Sequence, residues 1–257
     1  MEGSHSGLVR IPGKDVCPQG HREFESLALR RIYLNNFVKI TKALIKQIEL
    51  EAKKYFVGAS GCHDFSHVER VYNLALSIGK KEGADLGILA LSALLHDIGR
   101  KAEMKSRGKF CHAEKGAELA KKILNKYKLD SDIIDQVVHC IISHRYRNQH
   151  IPKTIEAKVL FDADKLDSIG AVGVARDFLF AGYLGNSLYT GNELKIIKSG
   201  QDGCYSKEDT AILEYEFKLK KIKDRILTKT GKRLANNRQA FMTAYFKKFW
   251  REVKGLE

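Results

Sequence analysis

Residues 86–100 read LGILALSALLHDIGR, and this stretch decides the fold. A helix is predicted to follow from Asp85, and its run is apolar almost all round, as a helix at the centre of a fold should be. His96 and Asp97 follow at the end of the apolar run, and Gly99 permits the chain to leave the helix there. Neighbouring residues of a helix point about 100° apart, so both side chains reach one ion only if the chain unwinds at this point.

Most of the remaining chain repeats the spacing of apolar residues that is typical of helices. The pattern predicts helices from Phe24 to the segment Gly58–Gly61, from Asp64 to Gly83, and at 112–127, 130–145, 153–169, 171–183, 207–229 and 231–254. No sustained alternation of apolar and polar residues predicts a strand, so we expect an all-α fold. Residues 182–206 contain five glycines and are predicted to form an irregular segment, either a lid or a partner surface.

The composition indicates a cytoplasmic protein with a substantial core. The chain has 257 residues, of which 44% are hydrophobic, and we expect a flexible tail over 1–24 and a single domain over 25–257. Five cysteines without a C-x-x-C pair favour a reducing compartment. No apolar run approaches the roughly 18 residues of a membrane span, and residues 1–20 lack the apolar run of a secretory signal, so we expect no membrane partner.

The net charge of +14 favours anionic partners. The lysines are dispersed through helices such as KKILNKYK, without the interleaved aromatic residues of a stacking surface, so nucleic acid is the less favoured partner. A small anionic substrate fits the charge better. The sequence leaves homo-oligomerisation open.

Four residues from distant parts of the sequence have side chains of the kind that bind a divalent metal ion: His67, His96, Asp97 and Asp164. Imidazoles and carboxylates without a thiolate suit Mn, Mg, Co, Ni or Fe, and Zn is also compatible. Such a ligand set leaves coordination positions for water and a phosphate oxygen. The ion would lower the pKa of the water and offset charge on phosphorus, which points to hydrolysis of a phosphate compound.

Several strings look like the HD-domain superfamily of metal-dependent phosphohydrolases: HDFSHVERV (63–71), LSALLHDIGR (91–100) and FDADKLDSIGAVGVAR (161–176). HAEKGAE (112–118), SHRYR (143–147) and the string KLKKIKDRILTKTGKRLANNRQAFM (218–242) resemble its small stand-alone bacterial and archaeal branch. The likeness covers roughly residues 35–254. It implies an HD-domain helical bundle with additional C-terminal helices, metal binding by the four residues above, and hydrolysis of a phosphoester or phosphoanhydride, commonly in a nucleotide.

Further residues around these strings are candidates for substrate binding. His112 and His144 are predicted either to bind a second metal or to contact a phosphate, together with Arg145 and Lys165. Lys165 is open to a second interpretation, an ion pair with Asp162 or Asp167.

Smaller roles are predicted for the neighbours of these residues. Asp64 is expected to cap its helix, Arg70 to reach a carboxylate such as Asp97, and Asp167 with Arg176 to support the site from below. Arg100 and Lys101 stand where guanosine tetraphosphate hydrolases of the superfamily carry acids, which argues against their mechanism. Without an obvious separate general base, Asp97 or His112 is predicted to orient the attacking water.

We therefore expect a phosphohydrolase that acts on a nucleotide through metal-activated water. Two other functions stay open. One is a phosphodiesterase or nuclease that cuts a cyclic dinucleotide or nucleic acid, which the net charge favours. The other is a non-catalytic nucleotide-sensing module that keeps the metal for stability.

Overall fold

The apolar run at 86–95 forms a buried central helix. In the computed structural model, which describes residues 39–59, 64–106, 109–145, 150–200 and 210–256, this helix spans Leu86–Leu95. Asp85 caps it by accepting hydrogen bonds from the backbone N–H groups of Gly87 and Ile88. Every residue from Ile88 to Leu95 is buried, as the sequence predicts.

The described elements are helical, and no strand occurs among the described residues. Numbered in chain order, the α-helices are α1 (Lys42–Lys53), α2 (Phe65–Glu82), α3 (Leu86–Leu95), α4 (Arg100–Lys105), α5 (His112–Lys126), α6 (Ser131–Ser143), α7 (Ile155–Asp167), α8 (Gly170–Tyr183), α9 (Glu193–Ser199), α10 (Ala211–Phe217) and α11 (Lys229–Val253). Two 3-10 turns cover Lys54–Phe56 and Leu219–Arg225. The predicted all-α fold is confirmed. Within the described chain, no helix is both long and apolar enough to cross a membrane.

The packing places α3 at the centre of a bundle. Helix α3 contacts α1, α2, α6 and α7, and α5 packs between α4 and α6. The C-terminal helix α11 packs on α8 and α7, outside the bundle that surrounds α3.

Side-chain caps determine where most of these helices begin. Asp64 caps α2 by accepting from the N–H of Ser66 at 3.1 Å, as predicted, and Gly83 ends the helix in a left-handed conformation with φ of 73°. Thr154 caps α7, accepting from the N–H of Ala157 at 3.2 Å. The sequence therefore placed the two ends of α2 and the start of α7 within two residues.

Asp162 attaches the C-terminal helix to the bundle. Its carboxylate accepts hydrogen bonds from the backbone N–H groups of Leu227 and Thr228, at 2.8 and 2.7 Å, and from the Thr228 hydroxyl at 2.6 Å. A Cβ at Gly231 would lie 2.5 Å from an Asp162 oxygen, so glycine is needed for this approach. This contact holds the start of α11 against α7.

Two predicted helices are wrong in extent. The helix predicted to run through from Phe24 does not do so, because α1 begins only at Lys42, where Thr41 caps it. Residues 24–38 and the predicted tail over 1–24 lie outside the described residues. The helix predicted at 207–229 is two pieces, α10 and the 3-10 turn Leu219–Arg225, while residues 207–209 are not described. The 3-10 turn puts Leu219 and Ile222 on one side, toward the core, which a continued α-helix would not do as closely.

The segment 182–206 is less irregular than predicted. It contains α9, whose seven residues are too few for a periodic pattern to be recognised. Residues 201–206 lie outside the described part of the chain. The predicted role as a lid or partner surface therefore stays a prediction.

Candidate metal centre

The chain leaves its helix at His96, as the sequence predicts. Helix α3 ends at Leu95, and α4 begins at Arg100, so His96 and Asp97 lie on a turn between two helices. Both are fully or almost fully buried. Gly99 has an ordinary φ of −82°, so its role differs from the one predicted: a Cβ there would overlap the carbonyl oxygen of His112 and lie 2.6 Å from the amide nitrogen of Gly116. The missing side chain lets the turn touch α5.

The four predicted metal ligands converge. His67, His96 and Asp164 each offer a ligand atom within 4.8 Å of the other two, and we call them the first triad. His67 Nε2 lies 3.3 Å from His96 Nε2 and 3.4 Å from Asp164 Oδ1. Asp97 Oδ2 is 3.7 Å from His67 Nε2 and 3.9 Å from His96 Nε2. Three stretches of chain far apart in sequence thus point toward a common centre.

A second triad shares Asp97 with the first. Asp97, His112 and His144 also offer ligand atoms within 4.8 Å of one another. Asp97 Oδ1 is 3.4 Å from His112 Nε2 and 3.7 Å from His144 Nε2, and the two nitrogens are 3.2 Å apart. One carboxylate therefore directs Oδ2 to the first triad and Oδ1 to the second.

All four imidazoles are held by the ring nitrogen that faces away from the centre. The partner of Nδ1 is Asp167 for His67 at 2.8 Å, the carbonyl of Ala93 for His96 at 2.8 Å, Glu103 for His112 at 2.8 Å, and the carbonyl of Ile141 for His144 at 2.6 Å. Each of these partners is an acceptor, so Nδ1 donates and Nε2 is the nitrogen that faces the centre. A ring fixed in this way is the usual state of a histidine that binds a metal.

The charge states of His96, His112, Asp97 and Asp164 suit metal binding. Burial lowers the pKa of both His96 and His112 to about 4, which keeps the rings neutral. Burial opposes ionisation of Asp97, but Arg100 and the surrounding imidazoles outweigh it and hold the Asp97 pKa well below its usual range. Burial also opposes ionisation of Asp164, but Lys165 and His67 outweigh it and hold the Asp164 pKa well below its usual range. Burial also disfavours charge on His67, but Asp164 and Asp167 raise its pKa.

Asp167 carries a network beneath the first triad, as the sequence predicts. Its carboxylate contacts His67, Arg176 Nη1 at 2.7 Å, and Arg70 through Nε at 2.7 Å and Nη2 at 3.1 Å. Arg70 reaches a carboxylate, as predicted, but that carboxylate is Asp167 and not Asp97, which was named as the example. On α2, Arg70 follows His67 by three residues and so faces the same carboxylate that holds the His67 ring.

The two predicted phosphate-binding cations are paired with acids of the site. Lys165 Nζ lies 2.6 Å from Asp164 Oδ2 and 3.3 Å from the carbonyl of His144, so the suggested pairing with Asp162 or Asp167 is wrong. Arg145 Nη1 contacts a Glu103 oxygen. Both cations border the triads, and their role in binding substrate stays a prediction.

Sequence reasoning missed Glu103 as a site residue. One oxygen contacts His112 Nδ1 at 2.8 Å and Arg100 Nη1 at 3.1 Å, while the other contacts Arg145. Burial opposes ionisation of Glu103, but His112 and the two arginines lower its pKa to about 2. The only signal in the sequence is its place three residues after Arg100, which predicts that pair and not the contact with α5.

The donor set fits divalent metal ions. Buried imidazoles and carboxylates surround both centres, and no thiolate contributes to either triad. This chemistry suits a borderline or hard ion in a site with open coordination positions, rather than a structural zinc site.

The helical bundle and this His-Asp arrangement define an HD domain. The HD domain family model matches residues 64–169, which include the first triad and all of the second. A relative with this architecture is YpgQ of Bacillus subtilis, which is 31% identical over 216 residues, 82% of this chain and 95% of that protein. The chain belongs to the HD-domain family, as the sequence motifs predict.

Solved structures agree with this assignment. The crystal structure of B. subtilis YpgQ in complex with ADP superposes with a TM-score of 0.62 at 30% identity, covering 81% of this chain and 94% of that one. An HD-superfamily hydrolase from Bacillus thuringiensis gives a TM-score of 0.63 at 25% identity, covering 83% and 98%. Ribonuclease Y of Thermoanaerobacter pseudethanolicus is 31% identical over 134 residues, but these are only 52% of this chain and 24% of that enzyme.

Proposed function

We propose that this protein is a metal-dependent phosphohydrolase that cleaves a phosphoanhydride or phosphoester bond of a nucleotide. The observation that carries the proposal is the placement of four buried imidazoles with Nε2 directed at the two oxygens of Asp97. Divalent ions bound there would lower the pKa of a water molecule and offset the charge that develops on phosphorus. The hydrolase named among the structural relatives supports this reaction class.

The two triads suggest how the ligands divide. His67, His96 and Asp164 would hold one ion, His112 and His144 a second, and Asp97 would contribute one oxygen to each. We favour metal binding over direct phosphate contact for His112 and His144, because their nitrogens face a buried carboxylate at 3.4 and 3.7 Å. Asp97 acts as an ionised ligand and not as a proton acceptor, since Arg100 holds its pKa far below neutrality.

A nucleotide suits the charges that border the triads. Lys165 and Arg145 are both partly exposed, and each is paired with a carboxylate. When an anion binds, each cation would shift from its carboxylate toward the anion. Their charges would then offset those of the phosphates in the transition state. YpgQ binds ADP in its crystal structure, which supports a nucleotide as the class of ligand.

A matrix of metals and substrates tests the proposal. Purified protein is incubated with nucleoside mono-, di- and triphosphates under Mn, Mg, Co and Ni, and products are identified by mass spectrometry. We expect turnover that is lost in Asp97→Asn and kept in His139→Ala, a control because His139 accepts a hydrogen bond from the N–H of Lys153 and belongs to neither triad. Inactivity of the unaltered protein on every nucleotide under all four metals would contradict the proposal.

A nuclease is the second candidate, supported by the partial similarity to ribonuclease Y and by the net charge of +14. Binding to RNA would weaken steeply with salt, because each phosphate contact releases counterions. Cleavage of labelled RNA at a rate exceeding that of nucleotides would favour this candidate. Tight nucleotide binding without any cleavage would instead indicate a sensing module.

A further inference from the structure

A pocket of about 210 Å³ opens beside Asp97, between the Lys54–Phe56 turn and helix α4. Asp97 and Arg100 both line it, so the pocket adjoins the two triads. Sites for complete small molecules usually measure roughly 300–1,000 Å³. The pocket therefore fits one part of a ligand whose remainder lies at the triads.

Aromatic rings and positive charges line this pocket together. Tyr55 comes from the Lys54–Phe56 turn, and Tyr183 is the last residue of α8. Lys101 and Lys105 both belong to α4 and are four residues apart, hence on one face of the helix. Lys101 Nζ also donates to the carbonyl of Val57 at 3.3 Å, which connects α4 to the chain that follows the turn.

The combination of groups indicates the chemistry of the ligand. Tyrosine rings offer flat apolar faces on which a nucleobase stacks, and lysine ammonium groups attract phosphate. Arg100 is already paired with Asp97 and Glu103, so the contact with a bound anion falls to the two lysines. An inorganic polyphosphate would use the lysines but would gain nothing from the rings.

We propose that this pocket binds the nucleoside part of the substrate, with the base against Tyr183 and Tyr55 and the adjoining phosphate near Lys101 and Lys105. The proposal rests on the proposed nucleotide hydrolysis, because the remaining phosphates would then extend from the lysines to Asp97. The pocket would make the nucleoside a source of affinity and of base preference, separate from the metal centre that acts on the phosphates.

Comparison of ADP with pyrophosphate tests this assignment, because the two share a diphosphate and differ in the nucleoside. Their affinities are measured by titration calorimetry in Mn²⁺ for the full chain and for Tyr183→Ala. Leu179→Ala is the matched control: Leu179 is 53% exposed and Tyr183 is 55% exposed on the same helix, but Leu179 does not line the pocket. Loss of one stacking ring should weaken ADP binding about tenfold and leave pyrophosphate binding unchanged, with no effect in the control.

A second pair of variants tests the lysines. Lys105→Met should weaken both ADP and pyrophosphate and reduce the salt dependence of binding, whereas Lys247→Met, an exposed position on α11, should do neither. Thermal melting of all variants verifies folding.

Three results would overturn the assignment: ADP binding by Tyr183→Ala equal to that of the unaltered protein, equal weakening of ADP and pyrophosphate by that variant, or ADP bound no more tightly than pyrophosphate by the unaltered protein. Turnover of nucleoside triphosphates by the same preparations separates this from the proposed function. ADP binding that depends on Tyr183 without nucleotide turnover would contradict only the hydrolase proposal. Turnover with a KM that is insensitive to Tyr183→Ala would contradict only the pocket.

Discussion

Arg100 donates hydrogen bonds to both carboxylate oxygens of Asp97: its Nη2 lies 2.9 Å from Oδ1 and 3.0 Å from Oδ2, and its Nε lies 3.2 Å from Oδ2. A planar guanidinium fixes the plane of the carboxylate it contacts, which a lysine ammonium does not do. The orientation of that plane matters here, because each Asp97 oxygen faces a different triad.

The first prediction concerns this contact. Arg100→Lys keeps the positive charge but loses the paired geometry, so kcat/KM for the best nucleotide should fall by about 10–100-fold, the range typical of residues that orient metal ligands. Arg233→Lys, an exposed position on α11, is the matched control and should leave kcat/KM unchanged. An Arg100→Lys enzyme as active as the unaltered protein would show that the orientation of Asp97 does not limit the reaction.

The second prediction concerns the number of metal ions. Equilibrium dialysis against Mn²⁺ followed by elemental analysis should give about two ions per chain, as in sites where a carboxylate joins two metals. Asp164→Asn and His144→Gln should each lose one ion, and Asp97→Asn should lose both, while His139→Ala keeps the full content. If Asp164→Asn, His144→Gln and Asp97→Asn all reduce the metal content by the same single ion, the two triads do not act as separate sites.

The third prediction concerns Glu103. Glu103→Gln removes the charge that holds the His112 ring, so Mn²⁺ affinity at the second triad should fall by about 10–100-fold while the first triad is unaffected. Stepwise Mn²⁺ titration distinguishes the two affinities. Glu118→Gln on α5, whose side chain is 61% exposed, controls for the loss of one negative charge. Equal weakening of both sites would indicate a general change in the fold instead.

The fourth prediction separates two aspartates that stand two residues apart. Asp162→Ala leaves the N–H groups of Leu227 and Thr228 without their acceptor, so the free energy of unfolding should fall by about 3 kcal/mol, while Mn²⁺ content stays normal. Asp164→Asn should have the converse effect, loss of metal with little loss of stability in the metal-free protein. Urea unfolding with excess chelator and metal analysis measure both quantities; loss of metal in Asp162→Ala would contradict the separation.

The cluster FDADKLD (161–167) shows which parts of the site can be predicted from the sequence and which cannot. Helical geometry separates Asp162 from Asp164 by about 200°, so only one of them can face a given centre, whereas Asp167 returns to the Asp164 side. The motif selected Asp164 for the centre, and the supporting place of Asp167 was predicted. The partners of Asp162 were not predictable, because they come from residues 65 and 66 positions later in the chain.

The residues that were mispredicted depend on contacts between elements. Arg70 was predicted to contact a carboxylate, with Asp97 as the example, and it contacts Asp167, because helix α7 brings that carboxylate to the face of α2 that carries His67. Glu103 was missed because its importance comes from His112 on the next helix. Local periodicity places a side chain on a face of its own helix, but the register of one helix against another is set by packing of the whole core.

The contact between Gly99 and Gly116 has a consequence for any attempt to redesign the centre. Main chain touches main chain there, so the span from the His-Asp turn to His112 is set by the backbone and not by the length or rotamer of any ligand. Substituting a ligand residue can remove or weaken one metal-binding position. It cannot change the distance between the His-Asp turn and His112. Tuning that span, for instance to admit a larger cation, would require rebuilding both glycine positions at once.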